Sequence, residues 1–224
     1  GEKAVLDILL KQVHAKETLD KATDRKLLTP LMCAIDYGQP DVVEQLLKMG
    51  ASADRRGYVD QQTPLYFTLG RMALLASPQK FYAIVYQSMK SSPDSVLRET
   101  MRRYNVSFTG VFGDSAGLDE MLKDPRNQAL FTQVVQVMLK QHTERHSSAK
   151  LLEIVRLLLA HGANPNVPHA HPEPGRTPLM LAAEDNSVEV MELMLRHGGN
   201  PSIKDAAGKN CMQIALSFSS GAVV

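Results

Sequence analysis

Thr29-Pro30-Leu31-Met32-Cys33-Ala34 recurs 148 residues later as Thr177-Pro178-Leu179-Met180-Leu181-Ala182. Each copy is followed, at the same offset, by an apolar stretch closed by glycine, Gly50 in the first and Gly198 in the second. This self-similarity decides the fold, because a repeat unit cannot bury its apolar face alone and must stack on neighbours. It also points toward binding other macromolecules rather than toward chemistry.

Within a unit, Thr29 is a suitable N-cap and Pro30 falls in the first turn, where its missing N–H costs nothing. Leu31, Cys33, Ala34 and Ile35 give a short first helix, ended by Gly38. Asp41 opens a second helix with Val43, Leu46 and Leu47 on one face at i, i+3 and i+4. Gly50 closes it where positive φ is cheapest. In the later copy Met191, Met194 and Leu195 take the second-helix face. A third start, Thr63-Pro64-Leu65, lies 34 residues after the first, and a degenerate fourth is centred on Asn210. Val5, Ile8 and Leu9 have second-helix spacing with no first helix before them. Val155, Leu158 and Leu159 have it too, ahead of Gly162 and Ala163.

The pattern resembles the ankyrin repeat, in which two antiparallel helices and a projecting β-hairpin recur about every 33 residues. The resemblance rests on TPLMCAIDYGQPDVVEQLLKMGAS (29–52) and TPLMLAAEDNSVEVMELMLRHGGN (177–200). The family's usual His after Thr-Pro-Leu is replaced here by Met32, Tyr66, Met180 and Gln213, and Asn186 stands for the inter-helix Gly. The resemblance implies an all-α ankyrin-repeat solenoid of helix-turn-helix units with β-hairpin loops.

One unit is interrupted. Thr63 begins it, but the matching second helix starts only near Leu151, leaving about 80 residues beyond a single period of about 33. Ser77-Pro78, Ser92-Pro93 and Asp124-Pro125 each read as an N-cap followed by proline. Amphipathic runs follow them: Phe81, Ile84, Val85; Val96, Leu97, Met101; Leu130, Val134, Val137, Met138. Seven of the twelve Phe and Tyr residues lie between 71 and 150, so the insertion has apolar content for three or four packed helices. Its segment Tyr104–Gly113 reads as a loop filling that small core or as an exposed recognition loop. The expected division is a partial capping repeat 1–28, a repeat 29–62, a split repeat 63–76 with 149–176, a helical insertion 77–148, a repeat 177–209 and a partial repeat 210–224.

The 224 residues are 44% hydrophobic and 22% charged, an ordinary soluble composition, and the formal charge of +1 gives no global argument for nucleic-acid or membrane binding. No stretch approaches the ~18 apolar residues that span a bilayer. The sequence opens Gly1-Glu2 without Met, as a processed or trimmed chain would; the compartment, cytoplasmic or exported after loss of a signal segment, stays open. Cys33 and Cys211 fall in distant units, too far apart for a disulfide, and read as small buried apolar residues.

Candidate chemistry is sparse. His142 and His146 stand at i and i+4, but Glu144 is not directly after the first His, as zinc hydrolysis requires, so a solvated helix end is expected. His169-Ala170-His171 reads as loop polarity. Gly110, Gly113 and Gly117 lack the strand and the Gly-Lys-Ser/Thr of a phosphate loop. Cys33 on a packed helix is a poor nucleophile. No metal, cofactor or catalytic set is expected.

The expected function is noncatalytic binding of a protein partner, with a monomer as the expected state. The resemblance places first helices and hairpin tips along a concave groove. That makes Asp36, Tyr37, Tyr66, Glu184 and Asp185 groove positions, with Arg55, Arg56, Tyr58, Arg176, Ala206, Ala207 and Lys209 at the tips. Tyr and Arg supply most interface free energy, so Tyr37, Arg55, Arg56, Tyr58 and Tyr66, with Glu184, are the candidate contact residues. The alternative is that insertion 77–148 carries a docking or effector function, with the repeats as scaffold.

Overall fold

The computed structural model describes residues 19–21, 28–57, 61–90, 118–169 and 174–219. Within them lie ten helices: α1 Pro30–Asp36, α2 Pro40–Lys48, α3 Pro64–Ala76, α4 Pro78–Lys90, α5 Leu118–Met121, α6 Pro125–Arg145, α7 Ser148–Ala160, α8 Pro178–Glu184, α9 Val188–Arg196 and α10 Cys211–Ser219. They divide into two compact units, one reaching Ala73 and resuming at His146, the other Leu74–Arg145. The sequence placed the insertion at 77–148; the second unit begins and ends three residues earlier.

The first unit is a solenoid of helix pairs. Its first-helix starts share one cap geometry. Thr29 Oγ1 accepts from Met32 N at 3.2 Å, Thr63 Oγ1 from Tyr66 N at 3.3 Å and Thr177 Oγ1 from Met180 N at 3.4 Å. The degenerate fourth start keeps the logic with different atoms: Asn210 Oδ1 accepts from Gln213 N, and Gln213 Oε1 accepts from Asn210 N, both at 3.0 Å. Each cap contributes about 1 kcal/mol. Met180 also takes part through sulfur, its Sδ accepting from Thr177 N at 3.5 Å. The positions where the family's His is missing thus still serve the N-terminus of their own helix.

Second helices stack on one another. α2 packs against α7, and α7 against α9, while α1 packs on α2, and α8 on both α9 and α10. α7 therefore stands in the row of second helices, between α2 and α9. Ser147 caps it through Lys150 N at 3.3 Å, and Leu151, Ile154, Val155 and Leu158 are fully buried. Full burial of such a side chain stabilises by about 1.5–3 kcal/mol. Inter-helix turns need positive φ, which Gly38 supplies at 62° and Asn186, its equivalent, at 52°; Asn tolerates this conformation better than most residues.

The projecting loops carry little sheet structure. Among the described residues the only bridge is Lys204 with Asn210, although Gly57 N bonds Gln62 O and His169 N bonds Arg176 O across their own loops. What joins consecutive loops is a relay of side chains. Asp20 Oδ1 accepts from Ser52 N at 3.0 Å, Asp54 from Asn164 N, and Asn166 Oδ1 from Asn200 N at 2.7 Å. Within each loop Ser52, Asn164 and Asn200 in turn accept from the N–H two residues on.

The second unit has its own core of Leu74, Phe81, Val85, Met89, Leu118, Met121, Phe131, Val134 and Val135. Tyr82 and Tyr86 stand edge-on to Phe131, at 5.6 and 6.3 Å between centroids, an arrangement aromatic pairs favour. Ser77 and Asp124 cap α4 and α6 through Lys80 N and Arg126 N, as their Ser-Pro and Asp-Pro sequences imply. Two expected core positions are corrected: Ile84 and Val137 are exposed, because the faces that meet between α4 and α6 run through Phe81, Val85 and Val134 instead. The Ser92-Pro93 start, the run Val96–Met101, the loop Tyr104–Gly113 and the glycines at 110, 113 and 117 lie outside the described residues.

Candidate protein-interaction surface

The surface built by first helices and hairpins is more committed internally than its sequence implies. Asp36 and Glu184 are the last residues of α1 and α8, at equivalent positions of two repeats, and both meet an arginine. Arg71 Nη2 donates to Asp36 Oδ1 at 2.8 Å, with its guanidinium 4.4 Å from the Phe67 ring centre. Arg176 Nη1 donates to Glu184 Oε2. All four side chains are mostly shielded, those of Arg176 and Glu184 most evenly. Each carboxylate, expected as a groove contact, is paired within the chain with a neighbouring cation. Shielding strengthens that attraction and would penalise removing either partner alone.

Tyr66 is corrected from a surface position to a core one. It is buried, and its ring lies 4.2 Å from that of His169, tilted by 31°. The imidazole comes from the loop that His169 closes with Arg176, a residue 103 positions later that reads as loop polarity in sequence. His169 is buried as well, since its backbone closes the hairpin with Arg176 and Gly175. Its companion His171 lies outside the described residues. Arg56 is a clamp between loops: Nη1 donates to Gln61 O at 3.0 Å and Nη2 to Pro168 O at 2.9 Å.

Tyr37 and Arg55 keep the expected exposure. Tyr37 is the C-cap of α1 and 49% exposed, its backbone fixed by its own N–H bonding Cys33 O at 3.0 Å and the next N–H, of Gly38, bonding Ile35 O at 2.9 Å. Arg55, Ala206, Ala207 and Lys209 are exposed on the loops. Tyr58 lies outside the described residues. Asp185 is half-buried at the C-cap of α8.

The two histidines expected on a solvated helix end are both buried. α6 stops at Arg145, so they do not share a helix face. His142 packs beside Phe81, 5.5 Å between ring centres, and His146 Nε2 bonds Ile35 O at 3.2 Å. Apolar neighbours and a carbonyl, invisible in a pentapeptide, account for both. Among the described residues no group of three or more His, Cys, Asp or Glu is placed to hold a metal, and no helix is long and apolar enough to cross a membrane. Cys211 is buried, and burial pushes its thiol above the ordinary range. Cys33 is half-buried rather than buried.

Sequence reasoning missed the loop relay, Arg71 and the Arg176–Glu184 pair. A signal for the relay existed: Ser52 and Asp54, Asn164 and Asn166, Asn200 and Ser202 are polar pairs two residues apart, each just beyond a second-helix glycine. Nothing local marks the arginine pairings.

The comparisons agree with this geometry. A family model described as "Ankyrin repeats (3 copies)" matches residues 144–224, and one described as "Ankyrin repeat" matches residues 26–58. Between them they cover just over half of the chain. The region left between the two matches contains α3 and all but the last two residues of the second unit. No curated protein matches the chain.

Proposed function

Because the chain belongs to the ankyrin repeat family, whose repeats generally mediate protein–protein interaction, we propose that it is a noncatalytic scaffold that captures a protein partner on its first-helix and hairpin surface. The observation that carries this reading is Tyr37, a half-exposed aromatic on a backbone locked at a helix end. An aromatic held in place loses little freedom on binding and gives large contact area. Arg55, and Tyr58 three positions on in the sequence, extend the contact. Glu184, Arg56 and Tyr66 support the surface from beneath it, through Arg176, Pro168 O and His169 respectively.

The test is capture of the partner from the native organism's extract by Tyr37→Ala/Arg55→Ala/Tyr58→Ala, compared with the parent chain. The reading expects the captured protein to be lost, with helical circular dichroism unchanged. Undiminished capture contradicts it.

A second reading has its own observation. Ile84 on α4 and Val137 on α6 leave large apolar side chains exposed on the second unit, which a docking role for the insertion would use. Replacing residues 77–145 by a short Gly-containing turn separates the two. Capture that survives the replacement rejects a docking role for the insertion, and capture that disappears while the triple variant still binds rejects the groove.

A further inference from the structure

We propose that His169 is an acid-sensitive latch: its neutral ring holds the loop it closes with Arg176 against α3, and protonation releases that loop. The seat of the ring is dry. His169 is 3% exposed, both ring nitrogens are shut off from solvent, and the ring lies 4.2 Å from that of Tyr66. A tyrosine face attracts a cation only weakly compared with the water it replaces. His146 differs, because its Nε2 bonds Ile35 O, an acceptor that suits a charged ring as well as a neutral one.

The charged groups around the loop are already engaged with one another or with backbone. From the loop after α2 come Arg56, on Pro168 O, and Asp54, on Asn164 N. Arg176 of the same loop as His169 is matched by Glu184 of α8. Asp205, next to Gly175, accepts from Ala207 N and Lys209 N. His171 and Glu173 lie outside the described residues.

The backbone turns this ring into a latch. His169 N donates to Arg176 O at 2.6 Å, and His169 O accepts from Gly175 N at 2.9 Å. Pro168 O, one residue earlier, holds Arg56, and Pro174 O accepts from Ala206 N at 3.0 Å. A ring that moves out to water therefore pulls on the loops on both sides. Burial disfavours the charged ring, so the closed loop binds the proton less readily than the open one. Its advantage is present above the ordinary histidine value of about 6.5 and is lost as pH falls below it.

The experiment is native-state amide exchange on the full chain, read as protection factors at His169, Gly175 and Ala206. In the parent these should fall about tenfold between about pH 7.5 and about pH 5.5, while α7 keeps its protection. His169→Phe keeps an aromatic on Tyr66 and carries no charge, so its protection should stay level. Should that variant lose helix by circular dichroism, His169→Gln makes the same comparison. His171→Gln/Glu173→Gln should fall as the parent does. Protection that is level in the parent overturns the proposal. So does an equal fall in the His169 variants, a fall shared by α7, or a fall abolished by the His171/Glu173 substitutions.

Discussion

The carboxylate of Asp54 accepts the backbone N–H of Asn164 through both oxygens, at 2.9 and 3.2 Å, across 110 residues of chain. The same bond in ordinary sequence spacing joins Asn166 to Asn200, 34 residues apart. One loop contact is thus reproduced whether or not a whole compact unit intervenes between the repeats it connects. This is the contact expected of a repeat split by an insertion, with the loop after α2 tied to the loop after α7.

Asp54 is consequently a stability residue. Asp54→Ala should cost about 1–2 kcal/mol, as expected for a charge-assisted bond that is partly solvated. Asp54→Asn should cost less than half as much, since Asn166 performs the same task with a carboxamide oxygen. Urea unfolding read by circular dichroism checks both, and equal losses would show that charge rather than the acceptor atom matters.

The Arg176–Glu184 pair should be coupled. Arg176→Met or Glu184→Gln alone removes this ion pair from a shielded site, at about 3 kcal/mol. The double variant should lose clearly less than the sum of the two. A double-mutant cycle of unfolding free energies measures this, and simple additivity would contradict the pairing.

Two glycines in the hairpins separate strain from space. Gly175 has φ +83°, and a Cβ there would lie 2.9 Å from Ala206 N, in the loop whose Ala206 N–H bonds Pro174 O. Gly208 has φ +76° with open space around it. Gly208→Ala should cost about 1–2 kcal/mol from the left-handed backbone alone. Gly175→Ala should cost more, because backbone must also move, and the ranking is read directly from thermal midpoints.

The exposed cluster on the second unit gives a pH signature. Tyr86 OH donates to Asp119, and Lys90 Nζ lies 2.7 Å from the same carboxylate. The bond to Asp119 raises both Tyr86 and Lys90, and bonds from Lys90 and then Tyr86 lower Asp119. The Asp119 contribution is therefore present above the ordinary carboxylate value of about 4 and lost as pH falls through its depressed one. Those of Tyr86 and Lys90 are present below about 10 and lost as pH rises through their raised values. Phenolate absorbance should show Tyr86 ionising above an ordinary tyrosine, and Asp119→Asn should bring it back down.

Much of the fold was legible because repeats announce themselves locally. Thr-Pro-Leu marks each first helix through the cap of Thr29, Thr63 and Thr177, and Gly50, Gly162 and Gly198 mark the ends of second helices. Even the substitution at Asn186 could be read, since only a few residue types accept the φ its position needs. What could not be read depends on partners brought close by stacking. Tyr66 reads as exposed because its cover, His169, comes from beyond the insertion; Glu184 reads as a contact because nothing local links it to Arg176. His146 is buried against Ile35 O, 111 residues away. Helical spacing reports which face is apolar, but not which polar groups the neighbouring repeat will occupy.

The split repeat is tested most directly by native-state hydrogen exchange on the intact chain. Helices of one stack open together, in a cooperative unit set by their shared packing. The account predicts that α7 exchanges with α2 and α9, at a rate distinct from that of α4 and α6, although α7 follows α6 immediately in sequence. Exchange of residues 148–160 in step with 125–145, and apart from α2 and α9, would contradict it.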